Sequence, residues 1–170
     1  MSWYAPPFGL EGVVLLSGFC AILMKVCVLG SWATFGEASA AVVDGTTVAA
    51  CLRNARAVSG WLAARGFGTV DRPVAVIAAG ERWPDGSLRP CLEDLLGAGA
   101  VIDGLDASPS PEAAAARSVF RGTSDVVAAV RECGGGLELV AGGFASDVDV
   151  AVEVDRCVAV PVLADGAFGA

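Results

Sequence analysis

Pro73 to Leu105 reads PVAVIAAGERWPDGSLRPCLEDLLGAGAVIDGL, and the fold turns on how that stretch is divided. Val74 to Ala79 is an unbroken apolar run, entered after Pro73 and left at Gly80, the pattern of a strand covered on both faces in a parallel sheet. From Leu92 onward, Leu92, Leu95, Leu96, Ala98, Gly99 and Ile102 recur at helical spacing, and the glycines allow close packing on a sheet. Between strand and helix lies a charged loop rich in Gly and Pro.

Upstream, TTVAACL from Thr46 to Leu52 has the length and β-branched content of a short buried strand. Asn54 offers an N-cap to a helix running to Arg65. Ala57, Val58, Trp61 and Leu62 share one face of it, and Gly66 supplies a left-handed stop. Strand, helix, strand in this space predicts a right-handed βαβ unit.

Downstream, Ser110-Pro111-Glu112 opens one helix, with an N-cap, a proline at the first helical position and a first-turn acid. Ser124-Asp125 opens another, VVAAVREC, which stops at Gly134-Gly135-Gly136. Val148 to Asp155 alternates valine or alanine with acids imperfectly, which leaves strand and short helix both open; Asp147 can cap a helix there, and a helix is the better reading. Val158 to Leu163 is a last strand, which Pro161 assigns to a sheet edge. The expected fold class is α/β, a mostly parallel or mixed sheet with covering helices.

A chain of 170 residues with 55% hydrophobic content is long enough for one such domain. Acids outnumber bases 19 to 11, for a net charge of −8, so nucleic acid and anionic membranes are electrostatically disfavoured partners. Histidine is absent, which removes Ser-His and Cys-His pairs and zinc sites that need imidazole. The six cysteines have no CxxC spacing and mostly sit in apolar runs, as reduced thiols of a cytoplasmic protein do. Cys91, beside the acids of the loop, is the one candidate nucleophile among them.

Val13 to Leu29 is apolar but for one lysine, short of the ~20 residues that span a bilayer. A buried segment is the preferred reading, with an export signal or anchor as alternatives. Residues 1–36 are accordingly expected to be an atypical apolar amino-terminal segment, and 37–170 the α/β domain.

The chemistry is expected at the loop from Gly80 to Asp94, because ligands of open α/β sheets bind at the carboxyl ends of strands. Gly80 lets backbone amides approach an anion. Arg82 and Arg89 present planar forks to a phosphate or sulfonate. Glu81, Asp85, Glu93 and Asp94 are hard oxygen donors suited to magnesium. Each has a plainer reading: Glu93 and Asp94 as first-turn acids that offset the helix dipole, Asp85-Gly86 as a turn, Arg82 as a surface ion-pair partner. Arg53 and Asn54, at the end of the preceding strand, add a second arginine-bearing rim, or simply a capped helix.

CLRNARAV from Cys51, PVAVIAAGERWPDGSLRPCLEDLLGAGAVI from Pro73, SPEAAAA from Ser110 and the closing VPVLADGAF resemble the 2-phosphosulfolactate phosphatase family, ComB, over about residues 37–168. The resemblance implies an α/β fold of the family's own kind and magnesium-dependent release of phosphate from 2-phospho-3-sulfolactate, or a related small anionic organophosphate, on the route to coenzyme M. It implies Glu81, Arg82, Glu93 and Asp94 as catalytic, Arg53, Asn54, Gly80 and Arg89 as substrate-binding, and Glu93, Asp94 and Glu81 as metal ligands. A homo-oligomer stays open. The family's Asp-containing strand motif and Ser-Pro-Asn-Gly loop have no counterpart here, so part of the amino-terminal half of the family pattern is expected to be lacking. The alternative function is an inactive copy with a binding or structural role.

Overall fold

A computed structural model describes residues 24–28, 46–78, 80–165 and 167–169. Strand β2 (Thr47–Ala50) is buried throughout. A short 3-10 turn (Leu52–Asn54) leads into helix α1 (Ala55–Ala63). Val58 and Leu62 of α1 are fully buried, with Trp61 packed against the same core. The helix ends as its glycine predicts: Gly66 has φ 73°. The Phe67 N–H reaches the Leu62 carbonyl at 3.1 Å and the Gly66 N–H the Ala63 carbonyl at 2.9 Å, satisfying carbonyls that the last turn would leave open.

Strand β3 (Val74–Ile77) follows, and between β2 and β3 the sheet inserts β1 (Met24–Val28), antiparallel to both. β2 and β3 therefore run the same way, as a βαβ unit requires, but are not hydrogen-bonded to each other. The order is β3-β1-β2-β6-β7, where β6 is Val162–Ala164 and β7 is Ala167–Gly169. Every described pairing is antiparallel, which corrects the expectation of a mostly parallel or mixed ladder within an α/β fold. Among the described strands β3 lies at an edge and is half exposed, Ile77 at 49%, not covered on both faces. β6 lies inside the sheet, not at its edge. Pro161 stands just before β6, where it needs no ladder donor, and its carbonyl accepts the Ala49 N–H at 2.9 Å.

β1 belongs to the stretch 1–36 and is described as part of this sheet. Of the apolar run 13–29, only residues 24–28 are described; an export signal or anchor in the remainder lies outside the described residues. Among the described residues no helix is long and apolar enough to cross a membrane.

The charged loop holds a small hairpin, β4 (Glu81–Arg82) against β5 (Leu88–Arg89). Its tip is a turn in which the Gly86 N–H bonds the Trp83 carbonyl at 2.8 Å, and Asp85 accepts from the Ser87 amide and hydroxyl at 2.9 and 2.6 Å. Asp85 is thus occupied by the turn. Helix α2 (Leu92–Asp103) packs its length along α3 (Pro111–Gly122). Gly99 faces α3 rather than the sheet: a Cβ there would lie 2.5 Å from the Ala116 carbonyl oxygen. Ser110 caps α3 through the Ala113 N–H at 3.3 Å, as its sequence signature indicates.

Helix α4 (Val126–Glu132) is capped by Asp125 through the Ala128 N–H at 2.8 Å. α4 stops at Cys133, in extended backbone, as the glycines after it predict, but those glycines also begin a separate helix, α5 (Gly134–Ala141), with Cys133 as N-cap. Helix α6 (Ala145–Ala151) makes Val148–Ala151 helical but not Val152–Asp155, and Phe144 is its N-cap, with Asp147 in its first turn. The core formed by Val48, Leu52, Val58, Leu62, Leu96, Val101 and Val130 joins β2, α1, α2 and α4.

Candidate active site

The core holds α2 against the sheet with its amino terminus at the carboxyl end of β3, and this brings the loop's acids together. Glu93 and Asp94, in the first turn of α2, are only 7% and 3% exposed, far more buried than dipole-offsetting surface acids need be. Asp94 accepts the Gly80 N–H through Oδ2 at 2.7 Å, while its Oδ1 is buried with no hydrogen-bond partner among the described residues. Gly80 has φ 67°, the left-handed backbone that turns its amide toward the acid.

Burial, with Glu93 and Glu81 nearby, pushes the Asp94 carboxyl up to about 6 against the pull of the Gly80 amide. An acid is held here at a real electrostatic cost. Donor oxygens of Glu81 and Glu93 and the Cys91 sulfur lie within 4.8 Å of one another. The same cluster, after burial, pushes the Cys91 thiol up to about 11. The thiol is therefore protonated at neutral pH, which argues against Cys91 as a nucleophile.

Arg89 is the cationic counterpart. It pairs with Glu81 and with Glu138 of α5, each at 2.9 Å, and lies 4.9 Å from the Trp83 ring centroid. Its hydrogen bond to Glu138 is the main cause that raises its pKa. Glu93 is positioned from two sides. The Cys133 thiol donates to Glu93 Oε2 at 3.2 Å, and a Cβ on Gly135 would fall 2.3 Å from Glu93 Oε1. The first turn of α5 therefore needs glycine at 135 for the carboxylate to lie where it does. An open cleft of about 510 Å³ beside this cluster is lined by Pro90, Cys91, Leu92, Glu93, Leu95, Cys133 and Gly134.

The structure thus brings together Gly80, Glu81, Arg89, Glu93 and Asp94. Arg82 donates to the Gly86 carbonyl of its own hairpin at 2.7 Å. Arg53 pairs with Glu153 at 3.0 Å. The Asn54 side chain, 5% exposed, does not cap α1: it accepts the Cys51 N–H at 2.8 Å and donates to the carbonyls of Ala159 and Ala49 at 3.0 and 3.4 Å. With its amide so engaged, Asn54 ties β2 to the segment before β6. Because β2 and β3 run the same way, Arg53 and Gly80 still stand at the same end of the sheet.

Sequence reading missed Cys133, Gly135 and Glu138. Cys133-Gly-Gly-Gly looks like a helix stop, and Glu138 meets Arg89 across 49 residues, beyond any local pattern.

The donor set fits magnesium. Two carboxylates with a third beside them, one oxygen of which is buried and unpartnered, are the hard ligands that this ion takes alongside its waters. Residues 34–166 match the model of the family described as 2-phosphosulpholactate phosphatase. No curated protein matches the chain.

Proposed function

The chain belongs to the 2-phosphosulpholactate phosphatase family, and from that premise we propose that it hydrolyses 2-phosphosulfolactate, or a related small acidic phosphate monoester, to 3-sulfolactate and phosphate with magnesium. The observation that carries this reading is the pairing of Glu81 and Glu93 at the end of β3 with the buried Asp94 beside them, whose Oδ1 has no hydrogen-bond partner among the described residues. Such an oxygen is costly unless something completes it. Bound there, magnesium would neutralise charge on the phosphoryl group and orient a water.

The chain's own residues have defined parts in this reading. Glu81, Glu93 and Asp94 hold the metal. Gly80, at the turn out of β3, leaves no side chain in the anion's way, while its own N–H is held by Asp94. Arg89 and Arg82 bring positive charge to the rim, and Arg53 adds to it from the end of β2. With no histidine in the chain, a carboxylate serves as general base.

The test is phosphate release by the purified full chain across a panel of small acidic phosphate esters including phosphosulfolactate, with and without magnesium. Glu93→Gln and Asp94→Asn should reduce magnesium-dependent release by at least about a hundredfold, since phosphate-monoester hydrolysis leans heavily on metal and charge stabilisation. Absence of both release and calorimetric magnesium binding would sink the reading and leave a binding or structural role.

A further inference from the structure

The carboxylate cluster has a sulfur corner that a magnesium site does not use. The Cys91 Sγ lies within 4.8 Å of donor oxygens on both Glu81 and Glu93. A tetrahedral zinc ion with sulfur at about 2.3 Å and oxygen at about 2.0 Å sets such donors about 3.5 Å apart. The three groups therefore need to close by only about 1 Å to share one ion.

Two further observations point the same way. The buried Asp94 lies close enough for its charge to act on Cys91, and its Oδ1 has no partner among the described residues. Glu93 is also oriented from behind by the Cys133 thiol, which touches both Glu93 Oε2 at 3.2 Å and the Val130 carbonyl at 3.0 Å, the sort of outer support that fixes a metal ligand. The cleft lined by Cys91 and Glu93 provides the way in.

We propose that Glu81, Cys91 and Glu93 form a zinc site that excludes magnesium, so that a thiophilic divalent cation inhibits the enzyme through the Cys91 sulfur. The inhibition, though not the zinc binding itself, rests on the magnesium reading above. Zinc is bound by thiolate, imidazole and carboxylate alike, whereas magnesium takes oxygen and shuns sulfur. On binding, the thiol proton passes to the buffer as the zinc–sulfur bond forms. As zinc takes Glu81, Arg89 keeps its second partner, Glu138.

Maleimide labelling of the full native chain, followed cysteine by cysteine by peptide mass spectrometry, tests the site without any variant. Zinc should slow labelling of Cys91 by at least about tenfold, the scale on which metal-site groups act, while magnesium leaves it unchanged; equal labelling with and without zinc overturns the proposal. Cobalt gives an independent readout: the thiolate-to-cobalt absorption should appear in the native chain and in Cys157→Ser and vanish in Cys91→Ser, and its persistence in Cys91→Ser overturns the site. Zinc should also suppress phosphate release in a way that added magnesium relieves; protection of Cys91 without inhibition overturns the regulatory role. A chain that protects Cys91 with zinc but releases no phosphate on any substrate retains the zinc site and loses the phosphatase reading, so the two fail separately.

Discussion

Asp94 accepts the backbone N–H of Gly80 at 2.7 Å, so one bond across the hairpin fastens the exit of β3 to the first turn of α2. The acid that makes it is pushed up from 3.8 to about 6, chiefly by burial. Because the folded-state value lies above the unfolded one, the stabilising contribution of this group is fully present below pH 3.8 and is lost as pH rises through about 6. The loss is on the order of 3 kcal/mol. Urea denaturation at a series of pH values should show native stability falling across this window relative to Asp94→Asn. Magnesium at neutral pH should restore part of it in the native chain and little in the variant; parallel pH profiles for the two proteins would contradict the account.

Asn54 tests whether its end of the sheet is structural. Its amide serves the Cys51 N–H and the carbonyls of Ala49 and Ala159 in a buried setting. Asn54→Ala leaves a donor and two acceptors without that partner, at a cost of about 2–4 kcal/mol. Thermal and urea unfolding should register the loss, while magnesium affinity measured below the new melting point stays unchanged. A variant of native stability with weakened substrate binding would instead support the substrate-ligand reading.

The two sides of the site differ in how far the sequence discloses them. Val74–Ile77, Gly80 and the first-turn acids Glu93 and Asp94 are local signals: an apolar run, a residue free to take positive φ, and helical spacing after a proline-rich turn. The opposite wall is not local. Gly134 to Gly136 have poor helix propensity, yet they begin α5, and a Cβ at 135 would strike Glu93 while one at 136 would come 2.2 Å from the Val130 carbonyl oxygen. Tertiary fit outweighs propensity there. The insertion of β1 between β2 and β3 is equally hidden, since an apolar run carries no register. The same limit made an edge strand look like a central one, because β3 is as apolar as a fully covered strand would be.

Glycines in helices separate propensity from packing. Gly60 in α1 has open space where a Cβ would go, whereas a Cβ on Gly99 would meet the Ala116 carbonyl oxygen at 2.5 Å and the Phe120 Cβ at 2.6 Å. Gly60→Ala is expected to stabilise the protein by about 0.5–1 kcal/mol through helix propensity. Gly99→Ala is expected to destabilise it by about 1–3 kcal/mol as α3 is forced off α2. Melting temperatures should therefore move in opposite directions; a shared sign would mean that the α2–α3 contact is looser than described.

Gly135 and Glu93 should prove to be energetically coupled. The Glu93 carboxylate occupies the space a side chain at 135 would need, with Oε1 only 2.3 Å from the ideal Cβ position. In Gly135→Ala the carboxylate has to leave, losing the Cys133 contact and its place beside Glu81 and Cys91. Magnesium affinity and magnesium-dependent phosphate release should fall by about tenfold or more, and stability by about 1–3 kcal/mol. The deciding measurement is a double-mutant cycle with Glu93→Ala. Once the carboxylate is gone the clash is gone with it, so Gly135→Ala should cost almost nothing in that background, and its better helix propensity at the start of α5 should show through instead. An equal penalty in both backgrounds would place the strain within α5 itself and detach Gly135 from the site.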